Sequence, residues 1–105
     1  MKYVLSDKDL LQLNLLIPIS EFSTHFPQYC PPTSTIYKRL NKYFKHPAKV
    51  RKDFEKTVFK ASVGKYGELP DRERYQRIRA SRFDVLVETI QAIHEKAARF
   101  EEITR

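Results

Sequence analysis

The sequence predicts a mostly α fold, a small helical domain of four to five helices with a long C-terminal helix. Three observations carry that expectation. Apolar residues recur at three- and four-residue spacing through most of the chain, and few windows alternate as a strand would. Six prolines and two glycines cut the chain into short segments. From Asp71 to about Glu102, however, no helix breaker occurs. With 105 residues, 41% hydrophobic and 12% aromatic, residues 1–105 read as a single basic helical domain with a modest core.

Ser6 followed three residues later by Asp9 reads as a capping box opening a helix over Asp7–Leu16, which Pro18 stops. Ser20 is the expected cap of a second short segment, Glu21–Phe26, ended by Pro27. The proline-dense stretch from Pro27 to Pro32 must be turn or extended, because proline fixes φ and restricts the residue before it. Thr33 is the expected cap of the next helix, in which Ile36, Tyr37, Leu40, Tyr43 and Phe44 form one apolar stripe. Pro47 either ends that helix or starts another, whose inward residues are expected to be Val50, Phe54, Val58 and Ala61. Gly64 and Gly67 bracket a loop, and Leu69-Pro70-Asp71 reads as a start with proline in the first helical position. In the last helix the spacing from Leu86 through Ile90, Ile93, Ala97 and Phe100 runs 4, 3, 4, 3, a heptad-like seam. Such a seam can pack on the N-terminal helices or pair with a second copy as a homodimer; the former is favoured, since two heptads are short for a coiled coil.

Charge is distributed unevenly. Between Lys38 and Arg82 there are 15 Lys or Arg against 5 Asp or Glu, while the flanking parts sum to −1 and −2 within a net charge of +7. Self-repulsion in such a middle costs stability, so an anionic partner lying against it is the natural explanation. A phosphate backbone is the commonest partner of that kind.

Signals for chemistry are sparse. His25, His46 and His94 lie on different segments, none in a metal-ligand spacing, so no metal site and no cofactor are expected. The lone Cys30 excludes an intramolecular disulfide framework and sits among prolines and an aromatic, a packing environment. Asp7/Asp9 and Asp71/Glu73 are explained by the dipole at helix N-termini, and Glu101/Glu102 as a solvated tail. No phosphate-cradling loop, dinucleotide fingerprint or serine elbow is present, and no catalytic residue is expected. The N-terminus lacks a signal-peptide pattern and the longest apolar patch, Leu10 to Ile19, is too short and interrupted to span a bilayer. A cytoplasmic protein with no membrane partner is the expectation.

One constellation stands out. Residues 19–45 read as helix, turn, helix, and Ser34-Thr35-Ile36-Tyr37-Lys38-Arg39-Leu40 resembles the recognition helix of helix-turn-helix DNA-binding regulators. That resemblance covers about a quarter of the chain. It departs from the family in its turn, where Pro27, Pro31 and Pro32 stand in place of a short glycine-containing turn. The resemblance implies base contacts from Thr33, Ser34, Thr35 and Lys38, with Arg39 and Lys42 on phosphates.

Two further strips serve nucleic acid or protein partners. Lys45 belongs with Lys38, Arg39 and Lys42 on the polar side of the preceding helix. Lys49, Arg51, Lys52, Lys56 and Lys60 form a second cationic strip, and Arg72, Arg74, Arg77, Arg79 and Arg82 form an arginine strip suited to phosphates or to acidic protein surfaces. Tyr29, Tyr37, Tyr43, Tyr66 and Tyr75 interleave with these cations and are candidates for stacking on bases. The sequence therefore supports a small non-enzymatic nucleic-acid-binding protein, most simply a DNA-binding regulator or accessory factor. The alternative is a phage or mobile-element protein that binds and inhibits a host nuclease, helicase or recombination complex.

Overall fold

The computed structural model describes residues 2–62 and 67–103. In chain order the helices are α1 (Asp7–Leu16), a 3-10 turn (Ile19–Glu21) running into α2 (Phe22–His25), α3 (Thr33–Leu40), α4 (Pro47–Ala61) and α5 (Asp71–Ile103). No strand occurs among the described residues. Gly64 and Tyr66 lie outside them.

Local signals act where they are expected in α1. The Ser6 hydroxyl accepts from the Asp9 amide at 3.2 Å, and the Asp9 carboxylate accepts from the Ser6 amide at 3.0 Å, closing the capping box. Other boundaries differ by one residue, and by four at the end of α3, which stops at Leu40 before Tyr43 and Phe44 of the expected stripe. Ser20 lies inside the 3-10 turn and makes no cap, and α2 is a single turn. Pro32, not Thr33, flanks α3, and its carbonyl accepts from the Ile36 amide at 3.0 Å. Pro47 does open α4, where its missing N–H costs nothing. Pro70 stands just before α5, and its carbonyl accepts from the Arg74 amide at 3.0 Å, so Asp71 takes the first helical position.

Helix α1 is the centre of the fold, touching α3, α4 and α5. Leu10 and Leu13 meet Phe22, Phe26, Ile36 and Leu40, all buried, and Ile93 and Ala97 of α5 close the same core. Leu86, Ile90 and Phe100 pack partly buried against it, so the heptad-like seam is occupied from within the chain. Tyr3 stacks edge-on against Tyr29 and Phe100, while the Leu5 amide donates to the Tyr29 carbonyl at 3.0 Å. The N-terminal segment thus threads between the proline-rich loop and the end of α5.

Helix α4 is held differently. The buried Asn14 side chain donates to the Pro47 carbonyl at 3.1 Å, pinning the start of α4 to α1. Its inward side carries Pro47, Val50, Arg51, Glu55, Val58, Phe59 and Ser62, so Val50 and Val58 face inward as expected, whereas Phe54 and Ala61 are exposed. At about 100° per residue, this face is rotated by roughly 60° from the Val50–Phe54–Val58–Ala61 face expected from apolar spacing. The cause is polar: Glu55 pairs at 3.1 Å with Arg82 of α5, and the same guanidinium donates to the Leu15 carbonyl of α1 at 2.9 Å. That carbonyl is in the last turn of α1, where backbone acceptors lack helical partners.

A candidate nucleic-acid interface

The structure sorts the cations into two groups. Arg39, Arg74, Arg82 and Lys96 bind within the fold. Arg39 lies half-buried against the N-terminal segment, its Nε donating to Asp7 Oδ1 at 2.6 Å and its Nη1 to the Leu5 carbonyl at 2.8 Å. Tyr43 Oη donates to the other Asp7 oxygen at 2.9 Å. These contacts, with the Tyr43 bond leading, hold the Asp7 carboxyl below its ordinary range, and the same bond pushes the Tyr43 phenol up. Arg39 is therefore engaged as a structural clamp rather than standing outward, and Asp7 does more than complement a helix dipole.

The arginine strip divides in the same way. Arg74 pairs with Asp71 at 2.9 Å and lies 4.5 Å from the centre of the Phe59 ring, and Arg82 clamps α1 and α4. Arg72, Arg77 and Arg79 are exposed. Of the remaining site candidates, Thr33, Ser34 and Lys38 are exposed on α3, Thr35 is half-buried, and Lys42 and Lys45 are exposed beyond the helix. Ile36 and Leu40 anchor the opposite side of α3 in the core. Tyr37 and Tyr43, expected in the apolar stripe, are 45% and 52% exposed.

On α4, Lys49, Lys52, Lys56 and Lys60 are all exposed, while Arg51 is half-buried. The four lysines fall within about 80° of one another around the helix axis, and neighbours three or four residues apart repel. None of them has an ion-pair partner among the described residues.

Beside this lysine stripe lies an open groove of about 390 Å³ between α4 and α5. Lys52, Lys56 and Lys60 line it with Glu55, Phe59 and Tyr75. The Phe59 and Tyr75 rings are 6.0 Å apart and tilted. Tyr75 belongs to the tyrosines that the sequence interleaves with cations. Phe59 gives no such signal, since one aromatic inside a helix reads as core, and only the packing of α4 on α5 brings it to the groove.

Groups that could do other chemistry are dispersed. Cys30 donates its S–H to the Pro31 carbonyl at 3.3 Å, and burial pushes its thiol up, away from the thiolate. His94 packs on Phe26 and Tyr29, with ring centres 5.0 and 5.6 Å away. Among the described residues no group of three or more His, Cys, Asp or Glu is placed to hold a metal ion. No helix among them is long and apolar enough to cross a membrane.

No family model, curated protein or solved structure matches this chain.

Proposed function

We propose that the chain is a small non-enzymatic nucleic-acid-binding protein, a regulator or accessory factor, that lays the lysine stripe of α4 along a phosphate backbone. The observation that carries this reading is the run Lys49, Lys52, Lys56 and Lys60 on one exposed helix face, with no ion-pair partner among the described residues. Like charges at this spacing destabilise a helix, and phosphates relieve them by taking the place of bound counterions. The exposed outer side of α3, with Thr33, Ser34 and Lys38, and the neighbouring Lys42 and Lys45 add a second set of contacts in the manner of a helix-turn-helix reader. Arg39 is no part of it.

The test is fluorescence anisotropy with labelled DNA and RNA across a salt series. Binding should weaken steeply with salt, and replacing Lys49, Lys52 and Lys56 with Gln should reduce the slope of log K against log salt by about 2–3. A wild-type protein that binds neither DNA nor RNA at low salt sinks the reading.

One observation favours a second reading, a phage or mobile-element inhibitor docking on a host enzyme that acts on nucleic acid. Arg72, Tyr75, Arg79 and Phe83 lie along one side of α5, and Phe83 is 64% exposed. Arginine and aromatic residues are the usual anchors of protein interfaces. Stoichiometric co-purification of one host protein that survives nuclease treatment and is lost with Phe83→Ser would select this reading.

A further inference from the structure

We infer that the groove between α4 and α5 is a base-stacking site for single-stranded nucleic acid, with Tyr75 as the platform and Lys52, Lys56 and Lys60 as the phosphate rail. This inference rests on the nucleic-acid reading and deepens it by assigning the strand state of the ligand.

Three features combine. Tyr75 is 52% exposed and lines the groove, so its ring is open to a stacking partner. Phe59 forms the wall beside it, and the Arg74 guanidinium over Phe59 holds that wall in place. The open side of the groove carries three lysines, spaced about 6 Å apart along the helix axis. An extended single strand advances by a similar distance per nucleotide, so each lysine can meet a successive phosphate.

Charge complementarity selects the occupant. A purely apolar ligand would satisfy the rings and leave the lysines repelling one another. A duplex would satisfy the lysines but keep its bases stacked and out of reach of Tyr75. A single strand satisfies both, because every base has a π-face and every linkage a charge. Glu55 is the one anionic group in the lining, and its carboxylate is bound to Arg82, which offsets its charge towards the groove. Arg79, 5.9 Å from the centre of the Tyr75 ring, adds a cation at the end of the platform.

The experiment compares a fluorescein-labelled oligothymidine with a duplex of equal length by anisotropy, using wild-type protein, Tyr75→Leu and Tyr75→Phe. Tyr75→Leu should weaken single-strand binding about tenfold and change duplex binding less than twofold, whereas Tyr75→Phe should keep both. Irradiation of the wild-type protein with a 5-iodouracil-substituted oligonucleotide should place the adduct on the peptide carrying Tyr75. That measurement decides the matter even if Tyr75→Leu lowers stability. If the wild type binds both ligands but Tyr75→Leu leaves single-strand binding unchanged, or the adduct falls elsewhere, the groove assignment fails and the phosphate-binding reading stands. If the wild type binds neither ligand, both fail together.

Discussion

Lys96 of α5 donates to the buried carboxylate of Asp9 at 2.6 Å across 87 positions of sequence. The same carboxylate accepts from the Tyr3 hydroxyl and from the Ser6 amide, so one side chain caps α1, orders the N-terminal segment and ties down the last helix. The two partners differ in exposure: the Lys96 side chain is 44% exposed and that of Asp9 only 2%.

That asymmetry predicts unequal losses. Lys96→Met strands a buried carboxylate without its cation and should cost about 3 kcal/mol, the lower end for breaking a buried pair. Asp9→Asn keeps a neutral acceptor and leaves a lysine able to reach water, so it should cost less. Urea unfolding of both variants checks the order. Equal losses would mean that the charge of Asp9 is not the quantity at stake.

Stability should also depend on pH at both ends. Burial opposes ionisation of Asp9, but the bonds from Lys96, Tyr3 and Ser6 outweigh it and hold the carboxyl below its ordinary value, as Tyr43 and Arg39 do for Asp7. A lowered folded value means that this stabilisation is present above the ordinary carboxylate range and is lost as pH falls through the folded values. Burial likewise disfavours the charge on Lys96, yet its bonds to Asp9 and Tyr3 raise it, and Tyr43 is raised by Asp7. Those contributions are complete below the ordinary values of lysine and tyrosine and disappear as pH rises past the folded ones. The melting temperature should therefore drop below about pH 4 and above about pH 10, and Asp7→Asn should flatten the acid limb.

Sorting the arginines by their contacts gives a third expectation. Arg82→Met removes charged hydrogen bonds to Leu15 and Glu55 and should destabilise by about 1.5–3 kcal/mol. Arg77→Met, on an exposed position, should stay within about 0.5 kcal/mol of wild type. Thermal unfolding distinguishes the two, and a similar loss from both would contradict the clamp.

The lysine stripe should show opposite effects on stability and binding. Lys56→Glu places an acid between Lys52 and Lys60 and should gain a few tenths of a kcal/mol, since pairs at this spacing contribute about 0.2–0.5 kcal/mol. The same change should weaken nucleic-acid binding by removing one contact and repelling phosphate. A variant that loses both stability and binding would point to a packing role for Lys56.

Much of this architecture is legible because its signals are local. The capping box of α1 lies within four residues, the inward pair of α3 follows one helical period, and α5 simply lacks breakers. What spacing conceals is long-range polar pairing. Asp7 meets Arg39 across 32 positions, and both residues look suited to the surface when read locally. The inward side of α4 escapes for the same reason: Glu55 turns inward only because Arg82 waits for it on another helix. The groove is invisible until α4 lies on α5, because Phe59 and Tyr75 belong to different helices.

The continuous apolar core takes in α1, α2, α3 and the second half of α5, but no residue of α4 and none of residues 71–82. The pairing of α4 with the first half of α5 depends instead on Arg82, Arg74, Phe59 and the separately buried Ile78, while Asn14 anchors α4 to α1. Amide exchange should accordingly be fastest, among the helices longer than one turn, in this outlying pair, whose opening breaks the Asn14 and Arg82 contacts to α1 but leaves the apolar core in place. A strand lying across both helices would bind the closed pair and not the open one. Occupancy of the groove would then appear as slowed exchange in α4 and residues 71–82, and the tightness of this pair would rise with ligand concentration.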